Sequence, residues 1–162
     1  SGENFCKMFY RLYGLETVIF RYFNVYGERQ PTKGQYAPVI GLFQRQVEEG
    51  VPLTVIGDGL QSRDFTHVSD VVEANIKASL TEDKQALGQI FNIGSGKEYT
   101  VMDLVTMIGG EDALHINLPE RLGEARKTRA DISKAREILG WEPKVDLEGW
   151  LNESVDTVSH PS

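Results

Sequence analysis

The side chains best placed for chemistry are two arginines that stand beside glycine turns. Arg63 follows Gly57-Asp58-Gly59, and Arg121 lies in Pro119-Glu120-Arg121-Leu122-Gly123-Glu124. A guanidinium stays charged and offers paired donors, which suits the oxygens of a phosphate. The competing role is a salt bridge, for which Asp64 and Glu124 are near acidic partners in sequence. Asn24 and Asn92 each lie at the end of an apolar, strand-like run. Their amides can point into one cleft, or each can serve as a turn former.

Other chemistries lack their residues. Neither G-x-G-x-x-G nor G-x-x-x-x-G-K-[ST] occurs, so no segment cradles a dinucleotide pyrophosphate or a triphosphate in the usual way. His67, His115 and His160 are isolated, without metal-ligand spacing, and read as capping, surface and tail residues. Ser95, in Gly94-Ser95-Gly96, lacks the spacing of a nucleophile elbow. The single Cys6 excludes an internal disulfide and a multi-thiolate metal site, and reads as a small packing residue. No catalytic or metal-ligating residue follows from these patterns, and none of the signals identifies a function by itself.

These residues need rigid elements to hold them, and punctuation along the 162 residues predicts an α/β alternation without repeats. Helix 3–13 carries Phe5, Phe9, Leu12 and Tyr13 on one face and stops at Gly14. The run 17–23 is apolar almost throughout, the pattern of a strand covered on both faces of a parallel sheet. A loop, 24–36, follows it, and in open parallel sheets ligands bind just beyond the carboxyl ends of strands. Next come a helix over 39–50 with Val39, Ile40, Phe43 and Val47 inward, a strand 53–56 and a strand 63–68. A helix capped by Ser69 or Asp70 then buries Val71, Val72, Ala74, Ala78 and Leu80. Strand 89–93 leads to a helix opened by a Thr100/Asp103 capping box. A helix from Asp131 ends at Gly140, and a last one from Asp146 presents Leu147, Trp150, Leu151 and Val155.

Composition is consistent with such a core: 40% of residues are hydrophobic and 25% charged. A formal charge of −7 argues against a broad nucleic-acid face and leaves room for a local basic pocket binding one or two phosphates. No apolar run reaches the roughly 18–20 residues of a membrane span, and no signal peptide is visible, so the expectation is a cytoplasmic protein with neither nucleic-acid nor membrane partners.

Five blocks stand in order over nearly all of the chain: Arg21-Tyr22-Phe23-Asn24-Val25-Tyr26-Gly27; Ile56-Gly57-Asp58-Gly59 with Arg63-Asp64-Phe65; Asn92-Ile93-Gly94-Ser95-Gly96; Arg121-Leu122-Gly123-Glu124; and Ala130-Asp131-Ile132-Ser133-Lys134-Ala135. On them the sequence resembles the extended short-chain dehydrogenase/reductase family, in particular its NAD-dependent nucleotide-sugar epimerases and dehydratases of the UDP-glucose 4-epimerase type. Ser1-Gly2-Glu3 resembles that family's continuation after its catalytic Tyr-x-x-x-Lys.

The resemblance implies the C-terminal, substrate-binding half of such an enzyme, inactive alone because the glycine motif and the Tyr-x-x-x-Lys pair are absent. In the family that tyrosine deprotonates a sugar hydroxyl while hydride passes to NAD; the keto intermediate rotates and is reduced from its other face. By similarity Asn24 contacts the diphosphate, Arg63 and Arg121 clamp it at the turn holding Gly57, and Asn92 and Glu124 lie beside the nucleoside. Tyr36, Ala37, Pro38 and Val39 flank the uracil, and Phe23 touches the nicotinamide end of NAD through its backbone. Leu122 stands where the family commonly has proline, which implies a less rigid arginine loop.

The implied fold is the trailing helix and strand of a Rossmann-like doubly wound sheet (1–33), a smaller α/β substrate-binding lobe (34–158) and a tail (159–162). The implied partners are a UDP- or other nucleotide-sugar, the N-terminal half, and a second copy of the chain in a homo-oligomer formed through residues 1–23. A dehydratase or decarboxylase fragment, or a non-catalytic binding or interaction module, remain alternatives.

Overall fold

A computed structural model describes residues 1–35 and 37–158, the side chains of 155–158 excepted. Tyr36, the expected tail 159–162 with His160, and the Val155 side chain lie outside the described residues. Helix α1 (Gly2–Tyr13) leads to strands β1 (Ile19–Tyr22) and β2 (Val25–Tyr26), then α2 (Val39–Glu48), β3 (Leu53–Ile56), β4 (Ser62–Arg63) and β5 (Thr66–His67). There follow α3 (Val68–Leu80), a 3₁₀ turn (Lys84–Ala86), β6 (Ile90–Ile93), β7 (Tyr99–Thr100), α4 (Val101–Gly109), β8 (His115–Leu118), β9 (Lys127–Thr128), α5 (Ser133–Leu139) and α6 (Leu147–Val158). The α/β alternation holds. Strand pairs are parallel for β1 with β6, β2 with β5, β3 with β8 and β4 with β9, and antiparallel for β4 with β7.

Two buried clusters organise the packing, and the chain passes between them more than once. One gathers Val71, Ala74, Ala86, Phe91, Ile93, Ala130, Ile132, Ala135, Leu139 and Trp141, with Val18, Phe20, Phe23 and Val25 against it. The other gathers Tyr26, Ile40, Phe43, Leu53, Val55, Phe65, Leu104, Val105, Leu147 and Leu151. Val18, Phe20, Phe23 and Val25 of segment 1–33 therefore share a core with residues 71–93 and 130–141, while Tyr26 joins the other cluster. Register explains this: β1 pairs residue for residue with β6, from Ile19 opposite Ile90 to Tyr22 opposite Ile93.

Several expectations about burial change. The helical face of α1 is real but uncovered, with Phe5, Phe9, Leu12 and Tyr13 all exposed. Glu3 and Arg21 hold the helix to β1 through paired contacts of 2.7 and 2.8 Å. Strand β1 is covered only in part: Ile19 is buried while Arg21 and Tyr22 are exposed, and among the described residues β6 is its one partner in the sheet. In α2, Val47 points outward, and the inward position is taken by Gln46. Its amide nitrogen donates to Thr54 Oγ1 (2.9 Å) and its oxygen accepts from the Thr54 amide (3.1 Å), which satisfies a buried polar pair against β3. Only a narrow stripe of α3, Asp70, Val71 and Ala74, is buried, so Val72 and Leu80 are surface residues.

The helix termini follow the sequence more closely. Thr100 and Asp103 form both halves of the expected capping box. Gly14 and Gly140 take left-handed conformations at φ 67° and 62°, as helix stops require. Asp131 accepts from the Ser133 amide and hydroxyl at the start of α5. Helix α3, however, is capped by His67, whose Nδ1 accepts from the Ser69 amide at 3.1 Å. Asp70 is instead turned inward, where its carboxylate accepts from the Lys144 and Val145 amides and its carbonyl from the Trp141 indole. The expected strand 63–68 breaks into β4 and β5, because Asp64 and Phe65 both turn into the interior.

Candidate functional site

After β3 the chain reverses through Gly57-Asp58-Gly59, with φ of +63° and +73° at the two glycines. Side chains rarely tolerate that region, and at Gly57 a Cβ would also meet the Glu120 side chain at 2.7 Å. Asp58 Oδ1 accepts from the Leu60 amide at 2.9 Å and tightens the turn. The end of β8 holds it from the other side: the Gly57 amide donates to the Leu118 carbonyl (2.8 Å), and Asn117 Nδ2 donates to the Gly57 carbonyl (2.7 Å).

The segment after β8 carries Glu120, Arg121, Glu124 and Arg126 against this turn. Arg126 meets Asp58 through two contacts of 3.0 and 3.1 Å, and its amide-linked carbonyl accepts from the Ser62 amide at 2.7 Å, where β9 joins β4. Arg63, on β4, is largely enclosed and forms an ion pair of 3.1 Å with Glu124. Between them lies a cleft of about 60 Å³ lined by Ile56, Gln61, Glu120, Arg121, Glu124, Ala125 and Arg126. Arg121 makes no described hydrogen bond or ion pair, so its guanidinium is available to a ligand.

Two of these guanidiniums thus already hold carboxylates, while Arg121 lines the cleft. The expected surplus of positive charge is accordingly reduced: Arg63 is paired with Glu124, and Arg126 with Asp58 and, at 3.9 Å, Glu120. The cleft is also far smaller than the ~300–1,000 Å³ of a typical small-molecule pocket.

The Arg126 guanidinium, aided by the Leu60 amide, holds the Asp58 carboxyl below its ordinary value. A lowered carboxyl pKa adds stability above the unfolded value, about 3.9, and that contribution is lost as pH falls through the folded value. We expect the Leu60 amide resonance to titrate below about pH 3.9. The Asp58→Asn variant should abolish that titration, and an unchanged profile in the variant would assign it elsewhere.

The other expected contacts are placed differently. Asn24 has the only positive φ of a non-glycine residue among those described, 32°, and its amide donates to the Asp64 carbonyl at 2.9 Å. Asn92 Nδ2 donates to the Asp131 carbonyl at 3.3 Å. Each amide therefore braces a neighbouring segment of the fold. Ala37 and Val39 stand half-buried at the start of α2, with Val39 packed on the second core. The Phe23 amide donates to the Ile93 carbonyl at 3.1 Å, so that donor is already occupied. Arg126 and Asp58 escaped the sequence reading, although Arg126 lies in the same segment as Arg121, and the criterion of arginines near turns extends to it.

Among the described residues no group of three or more His, Cys, Asp or Glu is placed to hold a metal ion, and no helix is long and apolar enough to cross a membrane.

Residues 1–94 match the model of the NAD dependent epimerase/dehydratase family. A UDP-glucose 4-epimerase of Mycolicibacterium smegmatis is 36% identical over 162 residues, covering 96% of this chain and 50% of that protein. A UDP-N-acetyl-alpha-D-glucosaminuronate decarboxylase of Bacillus cytotoxicus is 37% identical over 155 residues, covering 90% and 47%. The crystal structure of a UDP-glucuronic acid 4-epimerase from Bacillus cereus, in complex with UDP-glucuronic acid and NAD, superposes with a TM-score of 0.85 at 34% identity, covering 98% of this chain and 50% of that one. The chain spans about half the length of the curated relatives it matches. With a family model matched over more than half of its residues, and a mixed α/β fold like that of Rossmann-like epimerase structures, the chain belongs to the NAD dependent epimerase/dehydratase family.

Proposed function

We propose that this chain is the C-terminal, substrate-binding part of an NAD-dependent sugar-nucleotide epimerase, acting at C4 of a UDP-sugar. The observation that carries the reading is the set of guanidiniums around the Gly57–Gly59 turn, Arg63, Arg121 and Arg126, in a chain whose relatives bear the names of UDP-sugar enzymes. Arg63 and Arg121 clamp the diphosphate, Glu124 moves from the guanidinium to the nucleoside side, and Ala37 and Val39 at the head of α2 face the base. Residues 1–33 belong to the dinucleotide-binding domain and most of 34–158 to the substrate lobe. A second copy of the chain, or the N-terminal half, covers the exposed face of α1.

Residues 1–162 lack a glycine cradle for a pyrophosphate, and the Phe23 amide is engaged within the fold. The residues present do not by themselves fit NAD, which we assign to the complete enzyme, where it accepts and returns hydride. A decarboxylase is the second reading, favoured by the Bacillus cytotoxicus relative.

Calorimetric titration of the chain with UDP, UDP-glucose and NAD at low salt tests the proposal. UDP and UDP-glucose should bind with dissociation constants between roughly 1 μM and 1 mM, and NAD should give no heat. Absence of UDP binding by a chain with native circular dichroism overturns it.

A further inference from the structure

Asp64 follows Arg63, is fully buried, and faces neither the cleft nor any cation. Its carboxylate is saturated by donors from two distant segments. Oδ1 accepts from the Ser95 amide and hydroxyl, both at 2.7 Å, while Oδ2 accepts from the Gly96 amide (2.9 Å) and the Ala130 amide (3.1 Å). Its carbonyl takes the Asn24 amide at 2.9 Å. One residue therefore joins the loop after β1, strand β4, the turn after β6 and the segment after β9.

A buried carboxylate is costly unless its lone pairs are filled, and here four polar hydrogens, two on each oxygen, fill them. The segment 126–130 is gripped at both ends by the residues on either side of Arg63: Arg126 lends its carbonyl to the Ser62 amide (2.7 Å), and Ala130 lends its amide to Asp64. That grip fixes the loop bearing Arg121 and Glu124 against the strand bearing Arg63. There is little slack around it, since a side chain at Gly94 would collide with Ala130 and press on the Asp64 carboxylate.

We infer that Asp64 is the positioning residue of the candidate site, setting the Arg63 guanidinium and the 121–124 loop in mutual register through Ser95, Gly96 and Ala130. The inference rests on the proposed function for its ligand, UDP, but the placement of Arg63 can be measured without any ligand.

The test compares Asp64→Asn with Asp70→Asn. Asp70 is likewise buried and likewise accepts from two backbone amides, but those belong to residues 144 and 145, away from the cleft. Both variants should melt earlier. With each held well below its own melting temperature, only Asp64→Asn should weaken UDP binding, by roughly tenfold or more, the worth of a charged hydrogen bond lost from the site. Only that variant should also shift and broaden the Arg63 side-chain resonance in ¹H–¹⁵N spectra. Equal changes in the two variants, or an unmoved Arg63 resonance in Asp64→Asn, overturn the inference in favour of a purely structural carboxylate.

Should Asp64→Asn fail to fold, Ser95→Ala removes one donor and decides by the same resonance: a shift supports the inference and its absence overturns it. A parent chain that does not bind UDP refutes the functional reading, while the Arg63 resonance still judges the positioning role.

Discussion

Trp141→Ala should lower the unfolding free energy by about 3–5 kcal/mol, the usual cost of removing a large aromatic side chain from a packed core. Trp141 is fully buried among Val71, Ala74, Phe91 and Ala135, and its indole nitrogen donates to the Asp70 carbonyl at 2.9 Å. Its removal leaves a cavity and an unpaired carbonyl together. The same residue, Asp70, accepts from the Lys144 and Val145 amides, so loosening reaches the start of α6 and the second core. Against a total stability of roughly 5–15 kcal/mol, such a loss brings the chain close to unfolding. Urea denaturation followed by circular dichroism measures it, and a loss under about 1.5 kcal/mol would show that the site collapses to fill the gap. Trp141→Phe separates the terms, because it keeps most of the volume and forfeits the hydrogen bond, at about 1–3 kcal/mol.

Arg63→Ala should weaken UDP binding by about 1.5–3 kcal/mol, or roughly 10- to 150-fold, the typical worth of a hydrogen bond to a charged group. The upper part of that range applies here. Without Arg63 the Glu124 carboxylate, now 3.1 Å from the guanidinium, is left as an uncompensated negative charge beside an anionic ligand. Salt should diminish the effect, since Glu124 is substantially exposed and exposed pairs are screened. Calorimetry on the variant reads the change directly; affinity within about twofold of the parent removes Arg63 from the site.

How much of this was legible in the sequence depended on the range of the interaction. Features closed within a few residues were readable: the Thr100/Asp103 capping box, the helix stops at Gly14 and Gly140, and the Gly57–Gly59 turn all appear as expected. Pairings between distant residues were not. Strand β8 was not anticipated, because His-Ile-Asn-Leu is short and exposed throughout and exists as a strand only by pairing with β3. Glu124 was a candidate for a ligand contact or for a salt bridge within its own segment, and the structure pairs it with the distant Arg63 instead. Arg126 and Asp58 are 68 residues apart, a pairing that no local pattern announces. Burial was misjudged for α1 and α3 by the same logic, since periodicity shows which residues share a face and says nothing of whether another element covers it.

The interleaving of the two cores bears on how the chain is made. The first core needs Trp141 and the second needs Leu147 and Leu151, whereas Phe20, packed on the first, and Tyr26 and Ile40, in the second, come far earlier in the sequence. A ribosome adding roughly 5–20 residues per second releases the early apolar segments seconds before their last partners exist. Neither core can close before residues 141–151 emerge, and α5 with the start of α6 acts as the final closure of both. Truncation before residue 141 should therefore expose apolar surface in both cores at once, making a nascent chain stalled there a natural client for chaperones.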